Sequence, residues 1–167
     1  MIFSRGLSRI RSVQRFLILA LLLVAPAVWA GEGKVIKVLP QFLDNKGRQA
    51  LSPSLYERDA YQFILRNSPT KRAALRLAIQ WKAKNVDWTK LRLRAEMRGL
   101  IGDSLHSVTL EEPAKKTGHF SNWAELKIDG AAYSDFGQLM AWRVTLWEGD
   151  RQLGQMQSFL WSGVTAH

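Results

Sequence analysis

Two alternating runs dominate the middle of the chain. Leu75, Leu77, Ile79, Trp81 and Ala83 alternate with Arg76, Ala78, Gln80, Lys82 and Lys84. Leu91, Leu93, Ala95 and Met97 then alternate with Arg92, Arg94, Glu96 and Arg98. Successive strand side chains point to opposite faces, so a period of two predicts two half-buried strands. Asn85 to Lys90 between them is a short polar loop with one aromatic, Trp88. Gly99 and Gly102-Asp103 mark a turn, residues 105–111 predict a strand, 113–122 a loop, and 123–129 a further strand. Upstream, Lys34 to Leu43 predicts a first strand, ended or bulged at Pro40. Proline cannot donate to a ladder, which places this strand at a sheet edge. Downstream, Gln138–Trp147 and Gln152–Trp161 flank Glu148-Gly149-Asp150-Arg151 and predict a hairpin. With a two-residue Gly149-Asp150 loop, Leu146 would pair with Leu153 and Met140 with Phe159.

Between the first two strands the period changes. Asp44-Asn45-Lys46-Gly47 is turn chemistry. A helix is predicted from about Pro53 to Asn67, closed by Pro69. Ser54 with Glu57 three residues on matches a capping box, and Ser52 before Pro53 is a competing cap. Tyr56, Ala60, Phe63 and Ile64 share one face, the spacing of an amphipathic helix. About seven strands and one early helix make an all-β, immunoglobulin/fibronectin-like two-sheet sandwich the expected fold, with the helix inserted between the first and second strands. A lipocalin-like barrel is the alternative; it wants eight strands and a continuous meander.

Asp129-Gly130-Ala131-Ala132-Tyr133 is similar to the Asp-x-Ala-x-Tyr that introduces the sixth strand in many immunoglobulin-fold domains. The resemblance implies a tyrosine corner, in which the Tyr133 hydroxyl bonds back to the main chain. It covers five residues and departs at Asp135, where that family often has Cys.

The beginning of the chain reads differently. Arg5, Arg9, Arg11 and Arg15 precede an apolar run from Phe16, Pro26 interrupts it, and Ala25-Pro26-Ala27-Val28-Trp29-Ala30 ends on a small residue. Basic, apolar and small-residue regions in that order are the pattern of a secretory signal peptide. Crossing a bilayer takes roughly 20 apolar residues, and Phe16 to Ala30 supplies 15. Cleavage is expected after Ala30, leaving one domain over 31–161, a loose tail over 162–167 and no transmembrane segment. The expected location is periplasmic or extracellular.

Export revises the charge. The chain carries 24 Lys and Arg against 14 Asp and Glu; four of the basic residues and none of the acids lie in the first thirty, leaving 20 against 14 and a net of +6. With Cys 0 there is no disulfide, thiol nucleophile or thiolate metal site. His106, His119 and His167 have no metal-binding spacing between them, and neither a nucleophile elbow nor a phosphate-cradling loop occurs. No catalytic residue, metal or cofactor is therefore assigned. Export and the lack of a recognition motif exclude nucleic acid as the expected partner.

Tryptophan and arginine supply the candidate binding residues. Trp81 and Trp142 share parity with apolar positions and read as core. Trp147 has the parity opposite to Trp142, and Trp88 lies in a loop, which makes these two the candidates for stacking on a glycan. Arg92, Arg94 and Arg98 share outward parity with Arg76, Lys82 and Lys84. Were the two runs neighbours in one sheet, Arg76 would oppose Arg98 and Lys82 would oppose Arg92, which is destabilising. Either the strands belong to different sheets or an anionic partner neutralises a basic stripe. The expected function is a non-enzymatic envelope binding or structural module whose partner is an envelope protein or an anionic envelope polymer. A carbohydrate-binding module is the alternative.

Overall fold

The computed structural model describes residues 31–162; residues 1–30, expected to be an export signal, and positions 163–167 of the expected tail lie outside the described residues. Strand β1 (Glu32–Asp44) leads through helix α1 (Leu55–Asn67) to β2 (Arg72–Lys84). Then follow β3 (Leu91–Ile101), β4 (Ser104–Pro113), β5 (Asn122–Asp129), the short helix α2 (Gly130–Ser134), β6 (Gln138–Glu148) and β7 (Arg151–Gln157). One sheet has the order β1-β2-β5 and the other β4-β3-β6-β7, with all pairings antiparallel. The protein is an immunoglobulin/fibronectin-like two-sheet sandwich with a helix inserted between its first two strands. The fourth strand belongs to the sheet of the third.

Alternation places the core. Leu75, Leu77, Ile79 and Trp81 of β2 meet Leu91, Leu93, Ala95 and Met97 of β3 across the sandwich, joined by Leu126, Ile128, Val144, Leu146 and Phe136. Trp142 is half-buried against this cluster. Because β2 and β3 lie in different sheets, their basic residues never face one another across a ladder. The like-charge conflict is resolved by topology, and the basic stripe expected of a single sheet does not exist.

Four local expectations are corrected. β1 runs straight through Pro40, which pairs with Leu77, and its irregularity lies between Val35 and Lys37; an edge strand tolerates the missing N–H. The β6–β7 hairpin has the Gly149-Asp150 loop, but a bulge after Leu146 sets that residue opposite Gly154 and leaves Leu153 out of the ladder. A Cβ on Gly154 would lie 2.7 Å from the Gly33 carbonyl oxygen, so only glycine fits where β1 and β7 approach. β7 ends at Gln157; Phe159–Ser162 is a 3₁₀ turn, and Phe159 does not pair with Met140. There is no tyrosine corner, because among the described residues the Tyr133 hydroxyl faces Arg72 rather than a main-chain group.

Helix α1 starts at Leu55, and Ser54 forms no side-chain cap bond. Its expected apolar face also points the other way. Leu65 is fully buried and Tyr61 packs on the core, while Tyr56, Ala60, Phe63 and Ile64 face solvent. What docks the helix is polar. Tyr61 donates to Asp44 Oδ2 at 2.7 Å, and the Gln62 carboxamide bonds both main-chain groups of Phe42.

Candidate functional site

The outer face of the four-stranded sheet brings Arg92, Arg94, Arg98 and Trp147 together. Parity in β3 sends the three arginines outward, and Trp147 of β6 is the direct cross-strand partner of Arg92. The guanidinium carbons of Arg92 and Arg94 sit over the Trp147 ring, 5.6 and 5.4 Å from its centroid. The indole Nε1 donates to Thr145 Oγ1 at 2.7 Å. Further along, the 3₁₀ turn folds Trp161 back against the sheet. Arg98 and Arg143 lie over its ring at 3.9 and 4.8 Å, and Arg98 Nη1 donates to the Trp161 carbonyl at 2.9 Å.

Carboxylates complete this ladder. Glu96 takes both a 2.8 Å and a 2.9 Å bond from Arg143, and Glu111 bonds Arg94 and lies 3.7 Å from Arg92. Four guanidiniums, two carboxylates and two indoles thus form one ladder, in which Arg92 rests on the Trp147 ring beside Glu111 while its buried Nε has no hydrogen-bond partner. Cation–π contacts contribute about 0.5–1 kcal/mol each when exposed and more when desolvated. The face is a brace, with both indoles already occupied by arginine. Beside it, Thr89, Lys90, Arg92, Glu111, Pro113 and Gly149 line an open hollow of about 460 Å³.

Trp88 stands elsewhere. It opens a 3₁₀ turn whose Thr89 N–H is capped by Asp87; the Thr89 hydroxyl, which also donates to that carboxylate, and then the N–H hold the Asp87 carboxyl below its ordinary range. Its ring packs 6.0 Å from that of the core residue Trp81, with Lys116 Nζ over it at 5.6 Å. Trp88 closes an end of the core while Trp147 lies on an outer face, so they do not form one stacking platform. Arg76, Lys82 and Lys84 are on the outer face of the other sheet. There Arg76 is engaged by Gln41, Gln49 and Glu125.

An apolar stripe on α1 is left in solvent. Tyr56 is 84% exposed, Phe63 66% and Ile64 44%, with Ala60 between them and Glu57 and Asp59 at the margins. Tyr56, Ala60, Phe63 and Ile64 stand at i, i+4, i+7 and i+8. Sequence reasoning saw this stripe and sent it inward. It missed Asp44, Tyr61 and Gln62, the residues that turn the helix over. Arg58, Tyr61, Gln62 and Leu65 form a second stripe at i, i+3, i+4 and i+7, but its polarity hides it from a search for apolar faces.

Asp44 anchors that arrangement. Only 6% exposed, its carboxylate accepts the main-chain N–H groups of Lys46 and Arg48 at 2.8 Å each, Arg48 Nε at 2.9 Å and the Tyr61 hydroxyl. The Arg48 main-chain bond, followed by the others, holds its carboxyl well below the usual range. The hydrogen bond that Tyr61 donates to Asp44 raises the Tyr61 hydroxyl above its ordinary range. Among the described residues no group of His, Asp or Glu is placed to hold a metal ion, and no helix is long and apolar enough to cross a membrane. No protein family, curated protein or solved structure matches the chain.

Proposed function

We propose that the chain is an exported, non-enzymatic interaction module of a bacterial-type envelope, which docks a partner protein through the outward apolar face of α1. One observation carries the reading: the folded domain docks this helix by its polar side and leaves Tyr56, Phe63 and Ile64 in solvent. Exposed apolar patches on a soluble domain mark interaction surfaces, and anchors at this spacing suit a helix lying in a groove. Glu57 and Asp59 beside the stripe favour an apolar groove with a basic rim and disfavour an anionic polymer or lipid surface. The basic–apolar–small pattern of residues 1–30 supports export, with Gly31 as the first residue of the working protein. The glycan reading draws less support, because arginines cover Trp147 and Trp161.

The test is site-specific photo-crosslinking in the exporting cell. A crosslinker at Ala60 is expected to give a discrete protein adduct that disappears with Phe63→Asp. A crosslinker at Gln155, on the outer edge strand β7, is expected to give none. Adducts from Gln155 and none from Ala60 would overturn the assignment.

A further inference from the structure

At the end of the sandwich that carries α1, the two sheets part around an open hollow of about 570 Å³. Leu100 and Ile101 of β3 form an apolar wall; Arg72, Tyr133, Ser134 and Gln138 supply polar groups. The size is that of a small-molecule site, and so is the composition, apolar walls with a few convergent polar groups. We propose that this hollow binds a carboxylate at the end of a short apolar stem, with Arg72 and the Tyr133 hydroxyl holding the carboxylate and Leu100 and Ile101 holding the stem.

Arg72 carries the argument. Its guanidinium lies over the Phe42 ring, 4.7 Å from the centroid, at the mouth of the core. Its Nε is buried and has no hydrogen-bond partner. Every other arginine of the two sheets is matched to a carboxylate, a carboxamide or a carbonyl. Among the described residues Arg72 has no ion-pair partner; it faces Tyr133, whose hydroxyl is held above the ordinary phenol range by burial and so remains a donor. Arg92 Nε is likewise buried without a hydrogen-bond partner, but Arg92 has the Glu111 carboxylate beside it; Arg72 has none, and a bound acid reaching the rest of its guanidinium would supply one. A single cation beside one hydroxyl matches one negative charge shared over two oxygens, whereas a phosphate dianion would lack a second cation. The apolar wall sets the remainder of the ligand.

Two sources share that chemistry, a free short-chain acid and the carboxyl terminus of a peptide. The probes are sodium hexanoate and acetyl-Ala-Val with a free carboxylate, each titrated into isotope-labelled protein and followed by amide NMR. Hexan-1-ol and the carboxamide form of the peptide are the uncharged controls. Saturable shifts at Ala73, Ile101, Gly130 and Gln138 are expected with at least one acid and with neither control; which acid produces them names the source. Arg72→Met should weaken binding about tenfold or more, since hydrogen bonds to charged groups contribute on that scale. Tyr133→Phe, which keeps the ring, should weaken it less while leaving the fold intact. No localised shifts with either acid, equal shifts with hexan-1-ol, or undiminished affinity in both variants would overturn the proposal.

Discussion

The Gln62 carboxamide accepts from the Phe42 N–H and donates to the Phe42 carbonyl, both at 2.9 Å. A side chain thus does at one point what a neighbouring strand would do, on the open edge of β1. Edge strands with unpaired main-chain groups invite association, and here a helix covers the edge. The same amide donates to the Gln49 carbonyl at 2.7 Å, tying the loop before the helix to the strand. Gln62→Leu is expected to lower stability by about 2 kcal/mol, because three main-chain groups lose their partners. Urea denaturation monitored by tryptophan fluorescence measures it, and an unchanged midpoint would show that water replaces the amide without loss.

Asp44 and Tyr61 predict how stability depends on pH. A carboxyl held below its ordinary value of 3.8 contributes stability that is present above that value and is lost as pH falls through the lower, folded value. The raised Tyr61 hydroxyl gives the opposite limb. Its contribution is complete below the ordinary value of 10.0 and is lost as pH rises through the folded value. Asp44→Asn should flatten the acid limb and Tyr61→Phe the alkaline one, read as melting temperature against pH. Wild-type-like limbs in both variants would mean that other groups set them.

The outward stripe of α1 predicts silent substitutions. Phe63→Ser combined with Ile64→Ser should change stability by less than about 0.5 kcal/mol, as expected of surface sites. Leu65→Ala, one residue on and fully buried, should cost about 2–5 kcal/mol. Calorimetry of the two variants separates them. Equal losses would mean that the helix buries the stripe after all.

The arginine–tryptophan ladder predicts a structural role for its indoles. Trp161→Ala should destabilise by about 3 kcal/mol, the lower end for removing a buried tryptophan, since its ring is 8% exposed under two guanidiniums. Trp147→Ala should cost less, because that ring is half-buried. Neither substitution should alter retention on immobilised neutral glycans. Selective loss of retention with Trp147→Ala, at wild-type stability, would restore the carbohydrate reading.

The sequence by itself determined the strands and most of the core. Side-chain parity is a property of the backbone, so Leu75, Leu77, Ile79 and Trp81 had one side to share whatever they packed against. It also determined that Trp142 and Trp147 face opposite ways, and it posed the charge conflict between β2 and β3 that placing them in separate sheets resolves. Only the tertiary structure decided which side of α1 is buried. Helical periodicity defines two stripes but not which surface each meets, and here the partner surface is a strand edge with open main-chain groups and a buried carboxylate. Gln62 and Tyr61 satisfy those groups and Phe63 cannot, so the polar stripe goes in. The hairpin register was decided the same way, by the close approach of Gly154 to Gly33, two residues far apart in the chain. The approach of Arg72 to Tyr133 likewise exists only once β5, which leads into α2, has paired with β2.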